Sequence, residues 1–129
     1  MSKIVRRIGS SHSRVYDSAG TITAGDAVQF DENGEVVVAA TGAEVLGIAS
    51  ADATSSDTVH VEIATPSSEY VFPIETGTMA AAEVGEEADI NSADGLTLTE
   101  SNNDVLITGW DGVSTDECYG VFKILVYGA

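Results

Sequence analysis

Residues 58–63 constrain the fold of this chain more than any other stretch. Val59, Val61 and Ile63 alternate with Thr58, His60 and Glu62. Only an extended strand sends these side chains to opposite faces, one apolar and one wet. The same period of two recurs where Val28 and Phe30 alternate with Ala27 and Gln29, and in Leu96-Thr97-Leu98-Thr99. Asn33-Gly34 separates residues 27–30 from the run Glu35-Val36-Val37-Val38-Ala39. That dipeptide favours a two-residue type I′ turn, so the sequence predicts a hairpin there.

Other segments follow suit. Glu44–Ala49, Glu69–Phe72 and Val105–Trp110 read as short strands, and the mostly apolar 119–127 as a terminal strand tied into the core. Pro73 predicts the end or an edge of its strand, because proline cannot donate to a ladder. Thr78–Val84 allows one or two helical turns, too short for an independent helix. Fifteen Val, 12 Thr, 13 Gly and 2 Pro fit many strands joined by tight turns. The expected fold class is mainly β, a compact barrel or sandwich with at most one short helix.

The two halves look alike. Gly25-Asp26, the Asn33-Gly34 turn and Val45-Leu46-Gly47-Ile48 have counterparts in Gly85-Glu86, Asp94-Gly95 and Leu106-Ile107-Thr108-Gly109. The offset is 60 at the first glycine and 61 at the turn glycine. Two copies of strand–turn–strand–turn–strand would form two layers of one barrel or sandwich.

Charge divides the chain differently. Lys3, Arg6, Arg7 and Arg14 give residues 1–14 a charge of +4 with no acid, whereas residues 15–129 sum to −20. Residues 1–19 show no strand or helix period and read as an extended N-terminal arm; residues 20–129 read as a single β-rich domain. A body this acidic repels phosphate backbones, which argues against nucleic acid as a ligand. No apolar run approaches the roughly 18–20 residues that span a bilayer, and no membrane partner is expected. The start of the chain lacks an apolar stretch of signal-peptide length. So acidic and lysine-poor a surface is what adaptation to high salt produces, and complementarity to a basic partner is the other origin.

Catalytic chemistry finds little footing. The histidines are His12, in the arm, and His60, on the wet face of a strand. Cys118 lies beside Glu117, whose charge raises a thiol pKa rather than lowering it. Asp89–Gly95 begins like a calcium loop but has Ala93 at the fifth position and no glutamate at the twelfth. No catalytic, cofactor or metal residue is assigned, and the expected role is structural or binding.

The order of these motifs resembles the small capsid decoration, or cement, proteins of tailed viruses. The resemblance rests on Ala24-Gly25-Asp26-Ala27-Val28, Glu44–Ala49, Val59-His60-Val61-Glu62, Gly85–Ile90, Asp94-Gly95-Leu96 and Val105–Gly109, and covers residues 15–127. It implies a β-tulip-like barrel that sits, usually as a homotrimer, on the outer capsid surface and bridges major capsid protein subunits. The virus would be a tailed bacteriophage or, given the acid load, a haloarchaeal tailed virus, with the protein made in the host cytoplasm. By the same resemblance the arm docks, through Lys3, Ile4, Val5, Arg6, Arg7, Ile8 and Arg14. The alternative reading is a surface- or carbohydrate-binding β-sandwich module. It requires an exposed aromatic platform, for instance Trp110 with Tyr70.

Overall fold

A computed structural model describes residues 3–9, 12–40, 45–55, 57–65, 67–92, 94–98 and 104–123. The strands are β1 (Val5–Ile8), β2 (Ser13–Asp17), β3 (Ala27–Phe30), β4 (Val36–Val38), β5 (Gly47–Ala49) and β6 (Thr58–Ile63). They continue with β7 (Glu69–Thr76), β8 (Glu87–Ser92), β9 (Gly95–Thr97), β10 (Val105–Gly109) and β11 (Glu117–Phe122). Residues 78–84 supply one 3-10 turn, Ala81–Glu83. The fold is mainly β, as the alternation predicts.

The internal repeat is present at the level of strand pairing. One sheet has the order β2-β6-β5-β3-β4, and the other has β7-β11-β10-β8-β9 with β1 added outside β7. The two orders coincide when each of β2 to β6 is matched in turn with β7 to β11. Both sheets also curl until their first and third strands meet in parallel, through Ser18 and Val36 in the first unit and Ile74 and Leu96 in the second. Of the two glycine matches, Gly25 with Gly85 holds in detail, whereas Gly34 (φ 77°) and Gly95 are not equivalent, since Gly95 lies in β9, paired with Ser92, and lines up with Glu35. Gly25 (φ 92°) and Gly85 (φ 94°) sit at the third position of turns closed by Asp26 N–H to Thr23 O and Glu86 N–H to Glu83 O. Gly25 then donates to Ala49, which donates to Asp26; Gly85 donates to Ile107, which donates to Glu86. Positive φ at that position is the reason both turns carry glycine.

Two details sharpen the sequence expectation. The hairpin at Asn33-Gly34 forms, but around a three-residue loop rather than a two-residue type I′ turn. Asp31 N–H donates to Glu35 O, Gly34 N–H donates to Asp31 O, and Gly34 holds φ 77°. The Asp31 carboxylate accepts from the N–H of Asn33 and Glu35, which favours this form over the tighter one. Pro73 lies inside β7, paired with Glu117, and so marks an edge, the second of its two expected places, rather than a strand end. Ile74 N–H points to Asp116 O on the β11 side, so the ring nitrogen of Pro73 points to the other edge. There β1 reaches only as far as Val71 and β9 begins at Ile74, so no donor is missed.

The core has two parts. Ile22, Val28, Val36, Ala49, Ala53, Val59 and Val61 fill the first unit. The larger cluster fills the second unit around Tyr70, Phe72 and Phe122, and takes in Ile4, Ala27, Ala39, Val45, Ile48 and Ala64 from the first half of the chain. Strands β3 and β5 are therefore buried on both faces at Ala27-Val28 and Ile48-Ala49. The turn at Thr41-Gly42, Asn102-Asn103 and the 124–127 part of the terminal strand lie outside the described residues.

A β-carbon at Gly47 would lie 2.0 Å from Glu62 O and 2.9 Å from Glu62 C, both backbone atoms of the neighbouring strand. Gly47→Ala is expected to lower stability by about 1–3 kcal/mol in urea unfolding. Gly20→Ala, where nothing lies within 4 Å, is expected to leave it within about 0.5 kcal/mol.

Candidate functional site

The residues read as an arm supply two strands. β1 pairs with β7 of the second unit, with Val5 opposite Val71 and Arg6 opposite Tyr70. β2 pairs with β6 of the first unit, from Ser13 opposite Glu62 to Asp17 opposite Thr58. Neither strand shows a clear period because each is an edge strand with most side chains in water. The arm thus crosses from one unit to the other.

Four of the residues singled out for docking hold that crossing in place. Ile4 is 2% exposed, inside the shared core. Lys3 Nζ lies 3.0 Å from Asp26 Oδ1 in the first unit and 2.8 Å from Asp94 Oδ2 in the second. The hydrogen bond to Asp94 is the main reason the Lys3 pKa is raised, with Asp26 adding to it against the cost of burial. Asp26 is buried, and its other oxygen accepts from Thr23 N–H, closing the turn beneath Lys3. Gly25 leaves room for the lysine stem, since a β-carbon there would lie 2.5 Å from Lys3 Cβ.

Arg6 and Arg7 complete the strap. Arg6 Nη1 lies 2.8 Å from Glu62 Oε1, an ion contact that lacks hydrogen-bond alignment. Beneath it the Tyr70 phenol is pushed up to about 12, first by burial and then by the Glu62 charge; Arg6 and the nearby Ser68 side chain oppose the rise. Arg7 donates to Glu69 at 2.7 Å and stacks 4.1 Å from the Tyr119 ring centroid. Thr108 donates to the second Glu69 oxygen. Exposed ion pairs of this kind are individually weak, so Ile4 burial is the main anchor.

The remaining three singled-out residues face outward. Val5 is 58% exposed and Ile8 53%. Arg14 is exposed on β2. Among the described residues Lys3, Arg6, Arg7 and Lys123 each meet a carboxylate, and Arg14 has no ion pair.

Other side chains weighed for chemistry are dispersed. His60 is exposed on the wet face of β6. Cys118 is fully buried, and burial first, then Glu117, pushes its thiol up to about 12. Asp94, in the calcium-like stretch, is engaged by Lys3. Tyr70 is 1% exposed and packs against Phe72 and Phe122, so it forms no surface platform with Trp110. Trp110 is half-buried against the larger core and donates through Nε1 to Ser114 O.

Residues 5–64 match the family model of the phage cement protein. The matched span begins at β1 and runs through β6, so it holds both edge strands of the arm and the first unit. No curated protein matches the chain. The match supports a capsid decoration, or cement, protein of a phage, which is what the order of motifs resembles. Such a protein is a capsid-stabilising structural component, associated with capsid proteins in the virion.

Ile4→Ala is expected to cost about 2–4 kcal/mol in urea unfolding, since it empties part of the shared core. Arg7→Ala, at an exposed pair, is expected to leave the midpoint nearly unchanged. Equal effects of the two would show that charge rather than burial anchors the strap.

Proposed function

We propose that this chain is a non-enzymatic virion protein that binds the outer surface of an icosahedral capsid and bridges major capsid protein subunits. The observation that carries this reading is the phage cement match over residues 5–64. As a homotrimer, the protein would present three arms to a lattice, and several weak contacts would add. The arm is its docking element. Lys3, Ile4, Arg6 and Arg7 set its course across the body, while Val5, Ile8 and Arg14 offer surface to the partner. Apolar side chains fill small pockets, and a guanidinium holds a carboxylate in two-pronged fashion.

The test uses undecorated, expanded capsids. The full chain is expected to co-sediment with them and to raise their resistance to heat. Failure to bind would overturn the decoration reading. The double variant Val5→Asp, Ile8→Asp leaves the buried anchors intact and is expected to bind at least about tenfold more weakly. Binding equal to the unaltered chain would overturn the role of these arm side chains.

The acid load fits a protein made for high salt. The body at −20 is self-repulsive, and repulsion grows as screening ions are removed. The thermal midpoint is expected to fall markedly from molar to millimolar salt. A midpoint that does not move with salt would argue against salt adaptation.

A further inference from the structure

The internal repeat makes a specific statement about β2. Matched strand by strand, Arg14 corresponds to Tyr70 and Val15 to Val71, because Arg14 pairs with Val61 where Tyr70 pairs with Gly120, and Val15 pairs with His60 where Val71 pairs with Tyr119. The parallel closures keep the same match, setting Ser18 against Ile74. The outer edge of β7 is filled by β1, with Val5 opposite Val71. The outer edge of β2 is last in its sheet, and no strand among the described residues pairs with it at residues 13–17.

The backbone at that edge is set for pairing. Ile63 N–H donates to His12 O, and Ser18 N–H donates to Asp57 O. Even-numbered residues of the stretch therefore turn their backbone toward β6. Ser13, Val15 and Asp17 turn theirs outward, as Val71 does toward β1. Val15 is 52% exposed at the centre of this edge. Beside it stands Arg14, without an ion pair among the described residues. Asp17 lies three residues further on, so the place that favours an incoming acid is opposite Arg14.

We propose that the free edge of β2 accepts an antiparallel strand, and that the strand is an extended segment of a capsid subunit carrying a carboxylate beside an apolar residue. This rests on the capsid-binding reading above and names where on the chain it takes place. The apolar residue lies over Val15, as Val5 lies over Val71, and the carboxylate lies opposite Arg14. A second copy's β1 is a poor occupant, because its Arg6 would come opposite Arg14. Backbone ladder bonds supply affinity in such strand addition, and the two side chains supply register.

Capsid co-sedimentation tests it with three variants. Val15→Pro removes an outward-facing N–H at an edge, a place where a sheet tolerates proline, as Pro73 shows at the residue matching Asp17. Arg14→Glu reverses the charge on an exposed side chain, and Arg14→Lys keeps it. Circular dichroism and melting verify that each variant is folded. Val15→Pro and Arg14→Glu are expected to weaken binding at least about tenfold, and Arg14→Lys by less than about threefold. If Val15→Pro does not fold, Arg14→Glu still decides. Val15→Cys gives a single reactive thiol, since Cys118 is buried, and a thiol-directed crosslinker there is expected to capture the capsid subunit. If the unaltered chain binds capsids and Arg14→Glu and a folded Val15→Pro bind equally well, the strand-acceptor proposal falls and the capsid reading stands. Crosslinking to a second copy in place of the capsid subunit also overturns the proposal. If the unaltered chain does not bind, both fall.

Discussion

Burial of β3 and β5 on both faces is the constraint on which the rest of the structure depends. Val28 and Ala49 close the inside of the first unit, while Ala27 and Ile48 look the other way, into the core shared with the second. These strands are thus the wall between two small closed sheets. Small side chains suit a wall: Gly47 lets β6 approach, and Ala27 and Ala49 leave room on either face. Aromatic bulk goes to the larger, shared core, in Tyr70, Phe72 and Phe122.

The N-terminal residues complete that arrangement. Ile4 enters the shared core, and Lys3 links Asp26 of one unit to Asp94 of the other. Three arginines and a lysine that look alike in sequence therefore divide into two kinds. Lys3, Arg6 and Arg7 meet acids of the body; among the described residues Arg14 does not. In a chain at −16 an unpaired guanidinium is conspicuous, because carboxylates outnumber cations about fourfold. What holds it apart is position, on an edge strand whose one pairing partner among the described residues is β6.

Duplication gives the edge its meaning. A single unit would show only that β2 is unpaired, a common condition that proteins often guard with charge. Two units show the same edge filled in one and, among the described residues, unfilled in the other. The phage cement match covers the first unit and the arm from residue 5 onward, and so includes the edge of β2.

Much of the fold is legible from local patterns. The strict alternation at residues 58–63 names β6, the Asn33-Gly34 pair places a hairpin, and Gly25 and Gly85 mark the repeat, because each reports a backbone conformation decided within a few residues. The repeat is legible at Gly25 and Gly85 and in the order of three strands, but the match of residues 45–48 with 106–109 is three residues out of register, since pairing sets Ile48 with Leu106. The matches of β2 with β7 and β6 with β11 lie in pairing register, and register leaves little trace in residue identity. The run of β7 past Pro73 and the strands within the arm escape the sequence for the same reason. Whether a proline blocks a strand depends on what stands at the edge it faces, and whether a basic segment is an arm or a strand depends on an edge contributed from far along the chain. Sequence alone settled that the chain is β-rich, acid-bodied and basic at its start, since those properties sum over side chains. Which cations are paired, which edge is covered and which face of β3 meets which core were decided by tertiary structure, because each requires residues far apart in sequence to meet.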